Sequence, residues 1–195
     1  MTCMSGRHAA ICSGSLGNWV KSMASNATIL PAAEPHYEAI AHIYNEYVGA
    51  ANATTEETPK TAADIAQWCG AFNQREGLYV LLLGGQPQPQ TTQKVAGWGI
   101  IKRYSNREGY RYTCETAIYL TEAMQGMGYG TQMKHFLIEE CRAMGYHHLV
   151  AKILASNHAS IQYNLKLGYT LVGTQKEVSY LNGAWHDVVI MQKLL

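Results

Sequence analysis

Between Gln125 and Gly145 the chain reads QGMGYGTQMKHFLIEECRAMG, with three glycines at alternate positions directly ahead of an amphipathic run. Met133, Phe136, Leu137, Cys141 and Met144 recur at helical spacing, which predicts a helix from about Thr131 to Met144. Upstream, YTCETAIYL (Tyr112 to Leu120) reads as a strand that ends at the glycine turn. Downstream, HLVAKIL reads as another strand. Any fold built on this stretch mixes helix and sheet. Glycines bury almost nothing, so this turn needs either unusual dihedrals or close approach of something to the main chain.

The remaining elements follow the same logic. ATILPAAEPHY supplies a short strand and then a helix start, with Glu34 and Pro35 in cap and first-turn positions. Tyr37, Ile40, Ala41, Tyr44, Tyr47 and Val48 predict a helix over His36 to Val48. Thr61 caps a second helix that buries Ile65, Trp68, Cys69 and Phe72. Leu78–Leu83 and Val95–Lys102 form a hairpin around the loop GGQPQPQTTQ. Asn157 caps a helix that runs through Leu167 to Gly168, and strands Tyr169–Tyr180 and Trp185–Lys193 meet around LNGA. The order β, α, α, β, β, β, α, β, α, β, β describes a single mixed α/β domain without repeats.

At 195 residues the chain supports one buried core. A formal net charge of +1 with no long basic run gives nucleic acid no footprint, and the run LYVLLL is too short to span a bilayer. The five cysteines form no CxxC pair, which fits reduced thiols in a reducing compartment and indicates neither a metal site nor a disulfide framework. A cytoplasmic location is expected. Residues 1–33 contain no Asp or Glu, a composition compatible with an organellar transit segment. Residues 1–26 are expected to be a disordered or processed extension, with the domain spanning 27–195.

A strand, a glycine turn and a helix together make an anion site. First-turn amides point outward, the helix dipole adds positive charge, and Gly126, Gly128 and Gly130 have no side chains to hold a phosphate away. Tight turn geometry alone is the competing explanation. A P-loop would need Lys and then Ser or Thr after its last glycine, and here Thr131 and Gln132 follow Gly130. A dinucleotide fingerprint would open the first βαβ unit and be followed by a ribose-binding acid, which the region around Lys152 lacks.

Gln125-Gly126-Met127-Gly128-Tyr129-Gly130 matches a third pattern, Q/R-x-x-G-x-G/A, and resembles the coenzyme A pyrophosphate loop of the GNAT superfamily of N-acetyltransferases. NHASIQYNLKLGY (Asn157 to Tyr169) resembles that family's N-x-x-A/S-I-x-x-x-x-x-L-G-F/Y helix. IYNE (Ile43 to Glu46), YRYTCETAIYL and GAWHDVVIMQ (Gly183 to Gln192) are similar to the phosphinothricin/methionine sulfoximine acetyltransferase subfamily. The resemblance covers about Thr28 to Leu195. It implies a central, mostly antiparallel twisted sheet flanked by helices, and a homodimer. It also implies acetyl-CoA as donor, a small amine such as an amino acid or its analogue as acceptor, and no metal.

Residue roles follow from the resemblance. Glu115 matches the glutamate of the T-x-E-x-x-x-Y strand and is the expected general base; its competing role is as a surface partner of Arg or Lys. Ile118, Tyr119 and Leu120 match a strand segment that a bulge splays from its neighbour, so its main chain meets the pantetheine. The Leu120 N–H is the expected oxyanion donor. Gln125, Gly126, Met127, Gly128, Tyr129, Gly130 and Thr131 supply the pyrophosphate loop, with Met127 and Tyr129 as spacers. Asn157 is expected at the pantetheine arm. Asn164 takes a position where relatives carry Tyr or His near the coenzyme sulfur, and an amide is no comparable proton donor. Tyr163 points about 100° away around the helix. Arg111 and Arg107 fall where the subfamily recognises its amino-acid substrate, and Thr55 stands where relatives carry Phe, implying a reshaped pocket. Trp185 reads as core or dimer packing. Two rivals are a coenzyme-binding sensor without turnover and a protein or peptide acetyltransferase.

Overall fold

The computed structural model describes residues 27–50, 53–84 and 94–195. The extension expected over residues 1–26 lies outside them. Strands β1 (Ala27–Pro31), β2 (Gly77–Leu83), β3 (Lys94–Arg103), β4 (Thr113–Leu120), β5 (His148–Leu154), β6 (Thr170–Leu181) and β7 (Ala184–Leu194) form one sheet. Their order is β1-β2-β3-β4-β5-β7-β6, and every neighbouring pair is antiparallel except β4 and β5.

Helices α1 (Tyr37–Ala50) and α2 (Ala62–Gly70) cover one face; α3 (Tyr129–Ala143) and α4 (His158–Lys166) cover the other. Strand alternation divides the core accordingly. Leu78, Val80 and Leu82 of β2 pack with Ile40, Ile43 and Ile65, whereas Tyr79 and Leu81 pack with Met133, Leu137 and Leu149. The expected elements all form, with small shifts at their ends. A 3-10 turn at Glu34–His36 precedes α1, and α3 starts at Tyr129, two residues before Thr131. Thr61 caps α2 as expected, its Oγ1 accepting from the Asp64 N–H while Asp64 Oδ2 accepts from the Thr61 N–H.

The β6–β7 turn at Asn182 and Gly183 has φ values of 48° and 80°, a pair suited to a two-residue hairpin. Asp187 on β7 accepts from the Glu177 N–H and from Lys176 Nζ, fixing an irregularity in β6. Trp185 is 62% exposed and packs edge-on to Tyr180, so it is not a core residue.

The pairing of β4 positions the site. Toward β3 it pairs along its length without a register shift, from Cys114 opposite Arg103 to Leu120 opposite Gly97. Toward β5 the pairs run only from Thr113 to Glu115, opposite His148 to Val150. Beyond Glu115 the two parallel strands part. The expected bulge is not seen in the β3–β4 register, and the splay comes from the end of pairing with β5.

Candidate active site

The wedge between β4 and β5 opens into a cleft of about 920 Å³, walled by β4, β5, α4 and the turn before α3. Ile118, Tyr119 and Leu120 line it from β4. Alternate residues of a strand turn their backbone groups to the same edge. The Leu120 N–H and C=O both face away from β3, so those of Ile118 face the wedge as well. Tyr119 turns its ring to the α1 face, stacked on Trp98 at 4.4 Å, so any role it has in the cleft belongs to its main chain.

The glycine turn closes the Leu120 end. Gln125, Gly126, Gly128, Gly130 and Thr131 line the cleft, whereas Met127 is 65% exposed and Tyr129 packs against the core. Gly126 and Gly128 have φ of 74° and 87°, in the left-handed region where a side chain is strained. Gly128 is the N-cap of α3 and offers no capping side chain. The first intrahelical bond runs from the Gln132 N–H to the Gly128 carbonyl, so the amides of Tyr129, Gly130 and Thr131 have no partner within the helix. Three uncapped amides and a helix dipole at the end of a cleft suit a pyrophosphate.

Asn157 and Asn164 form part of the α4 wall. The Asn157 side chain accepts from the Ser160 N–H at 3.0 Å, as an N-cap does. Asn164 is 4% exposed and donates to the Ser160 carbonyl, while its Oδ1 is buried without a hydrogen-bond partner among the described residues. A buried carbonyl oxygen without a donor is costly, and the amide or thiol of a pantetheine arm would satisfy it. The cleft therefore offers coenzyme A partners on the glycine turn and on the α4 wall. Tyr163 sits at the glycine-turn end, its hydroxyl 3.7 Å from where a side chain on Gly130 would begin. Burial pushes its pKa up to about 12.

Two expectations meet a different arrangement. The Leu120 amide is already engaged: its N–H donates to the Tyr47 hydroxyl at 3.1 Å, which in turn donates to the Leu120 carbonyl at 2.6 Å. Gln125 Nε2 donates to the same hydroxyl at 3.2 Å. Glu115 projects to the opposite face from Thr116 and does not itself line the cleft. Its carboxylate accepts from Lys152 Nζ at 2.6 Å and lies 4.0 Å from Lys102 Nζ. Lys152 is a cleft residue, so Glu115 stands one hydrogen bond away.

The proposed acceptor residues lie elsewhere. Arg107 and Arg111 line a second cavity of about 560 Å³ with Arg75, Arg103 and Tyr146, and it shares no residue with the cleft. It ends at Thr113, roughly 10 Å from Thr116 at about 3.3 Å per residue. Arg111 stacks 4.8 Å over Tyr112 and donates to the Glu108 carbonyl. Thr55 is exposed and lines neither cavity, whereas its neighbour Thr54 is buried against the Tyr44 hydroxyl at 2.6 Å.

Sequence reasoning missed Tyr47, Lys152 and Lys134. Lys134 was detectable, because Leu137, Ile138 and Cys141 follow it at i+3, i+4 and i+7 and place it on the buried face of α3. Among the described residues no group of three or more His, Cys, Asp or Glu is placed to hold a metal, and no helix is long and apolar enough to cross a membrane.

The acetyltransferase (GNAT) family matches residues 37–169. An L-methionine sulfoximine/L-methionine sulfone acetyltransferase of Pseudomonas paraeruginosa is 32% identical over 167 residues, spanning 86% of this chain and 94% of that one. The phosphinothricin N-acetyltransferase of Streptomyces viridochromogenes is 27% identical over 165 residues, 85% of this chain and 86% of its own. Among solved structures, a GNAT superfamily phosphinothricin acetyltransferase from Sinorhizobium meliloti in complex with acetyl-CoA superposes with a TM-score of 0.77. It is 29% identical, covering 87% of this chain and 89% of that one.

Proposed function

Because the chain belongs to the acetyltransferase (GNAT) family, we propose that it moves the acetyl group of acetyl-CoA to the primary amine of an amino acid or close analogue, of the phosphinothricin or methionine sulfoximine type. The observation that carries this reading is the parting of β4 from β5 ahead of an uncapped glycine turn, in a chain whose relatives of that type span most of its length. When bound, the coenzyme supplies an activated acetyl thioester.

The protein's part is to hold, orient and manage protons. The amides of Gly126 to Thr131 hold the pyrophosphate, and the wedge-facing groups of Ile118 and Leu120 hold the pantetheine in the manner of an added strand. At Leu120 the Tyr47 hydroxyl gives way to it. Asn157 and Asn164 contact the arm from α4. Glu115, reached through water beside Lys152, accepts the proton of the attacking amine. Arg111 and Arg107 attract the acceptor's carboxylate or phosphinate from the second cavity, with Thr55 on the loop before α2 shaping the approach.

A homodimer fits the exposed residues Leu171, Val172, Tyr180 and Trp185 on β6 and β7. A reducing, cytoplasmic setting fits the free thiols Cys69, Cys114 and Cys141.

Release of coenzyme thiol from acetyl-CoA across a panel of amino acids, analogues and peptides tests the proposal. Turnover with a free amino acid or analogue supports it. Tight acetyl-CoA binding with no turnover on any amine would favour a sensor, and turnover only on peptides would favour a protein acetyltransferase.

A further inference from the structure

Lys134 points inward from α3 and is only 3% exposed. Its ammonium donates to Thr116 Oγ1 at 2.9 Å and stands 4.9 Å from the centre of the Tyr169 ring. The titratable groups facing it are Cys114 from β4, Cys141 from its own helix, and Tyr169 ahead of β6. Among the described residues it forms no ion pair. Burying an ammonium without a carboxylate is costly, and an apolar side chain would pack there without that penalty. Burial holds its pKa down to about 8.

Its position in the cleft gives that cost a use. Glu115 opposite Val150 is the last β4–β5 pair, so Thr116 is the first residue of β4 beyond the closed end of the wedge. Lys134 lines the cleft together with Thr116. The glycine turn lies at the other end, past Leu120. A coenzyme whose phosphates sit on that turn runs its arm along β4 toward Thr116 and brings its sulfur to the end where Lys134 waits. Asn164, on the α4 wall of the cleft, has an amide that releases no proton.

We propose that Lys134 is the acid of the acetyl transfer, meeting the departing coenzyme thiolate with its ammonium and giving it a proton. The C–N bond forms as the C–S bond breaks, and sulfur keeps the electron pair. The amine's surplus proton passes to the base on the opposite face of β4. Lys134 gives one proton to sulfur, becomes a neutral amine and is restored from water. The inference rests on the acetyl-CoA reading of the cleft but not on the identity of the acceptor.

The test titrates free coenzyme A bound to the full chain, following the ultraviolet absorbance of its thiolate against pH. With Lys134 present, the bound thiol titrates about one to three pH units below free coenzyme, as for any acid beside a cation. In Lys134→Met, whose stem fills the same space, the shift is lost and kcat falls about 10²-fold with the acceptor KM unchanged. Lys134→Gln keeps a donor for Thr116 and serves if the Met variant does not fold. Bound coenzyme whose thiol titrates alike with and without Lys134 would overturn the inference. So would an acetyl group found by mass spectrometry on Lys134 after incubation with acetyl-CoA alone, since the amine would then be a nucleophile. Failure of the donor reading looks different, because coenzyme A would not bind at all; that result overturns both.

Discussion

Glu115 and Thr116 are neighbours on β4, and the pleat sends their side chains to opposite faces of the sheet. On the face toward α1, the Glu115 carboxylate stands between the ammonium groups of Lys152 and Lys102. On the face toward α3, Thr116 receives the ammonium of Lys134, which no carboxylate among the described residues neutralises. Among the described residues, one face holds an acid with two cations and the other a cation with no acid. The strands part just beyond this pair of residues. Acetyl transfer takes a proton from nitrogen and delivers one to sulfur, so it is served by opposite groups on either side of the reacting carbon. A sheet supplies that arrangement from two adjacent positions, which a helix does not, because its neighbouring side chains diverge by only about 100°.

The largest expected effect is on the carboxylate face. Glu115→Gln keeps the shape and removes the base, and kcat is expected to fall about 10²- to 10³-fold. An unchanged kcat would leave Glu115 only its ion pairs. On the opposite face the comparison is read in stability. Lys134 titrates at about 8 folded against 10.5 in the unfolded chain. Between those values the unfolded state binds more protons, so Lys134 destabilises the fold below pH 8 and less so as pH rises toward 10.5. The advantage of Lys134→Met over the wild type in urea unfolding should therefore shrink by on the order of 3 kcal/mol across that window. The hydrogen bond to Cys141 and then burial raise the Cys114 pKa, burial raises that of Tyr169, and both groups act in the opposite sense to Lys134.

Gly128→Val tests the far end of the cleft. A valine at φ of 87° is strained and screens the uncapped amides, so the acetyl-CoA KM should rise about 10-fold, more than the acceptor KM. Lost stability with no change in KM would reduce the turn to local geometry. The smallest effect is at Tyr47→Phe, which removes the hydroxyl shared by Leu120 and Gln125. Stability should drop by about 1 kcal/mol, while acetyl-CoA binds about 3-fold tighter because the strand edge no longer has a competing partner.

What sequence alone made legible is mainly local. The glycine turn, the Asn157 cap, the Thr61 cap and the alternation of the strands each depend on residues a few positions apart, and each forms. Contacts between distant segments were beyond that reach. Tyr47 meets Leu120 across 73 positions, and Lys152 meets Glu115 across 37. No periodicity signals either contact, and both alter how the proposed site residues are engaged. Arg107 and Arg111 carry the right charge, but the loop before β4 takes them to a separate cavity. Lys134 is the instructive miss: its spacing placed it on the buried face of α3, while its charge suggests solvent. The conflict between those two signals marked a residue worth following.

Opposite proton roles at the two faces of β4 are tested most directly by the pH dependence of kcat/KM. It would be taken for the wild type, Glu115→Gln and Lys134→Met with an acceptor that the panel identifies. In the wild type kcat/KM is expected to fall as pH rises through about 8, where Lys134 loses its proton; Lys134→Met is expected to abolish that alkaline fall and Glu115→Gln to lower the whole profile. A Lys134→Met profile that keeps the alkaline fall, or a Glu115→Gln rate equal to the wild type, would contradict those roles.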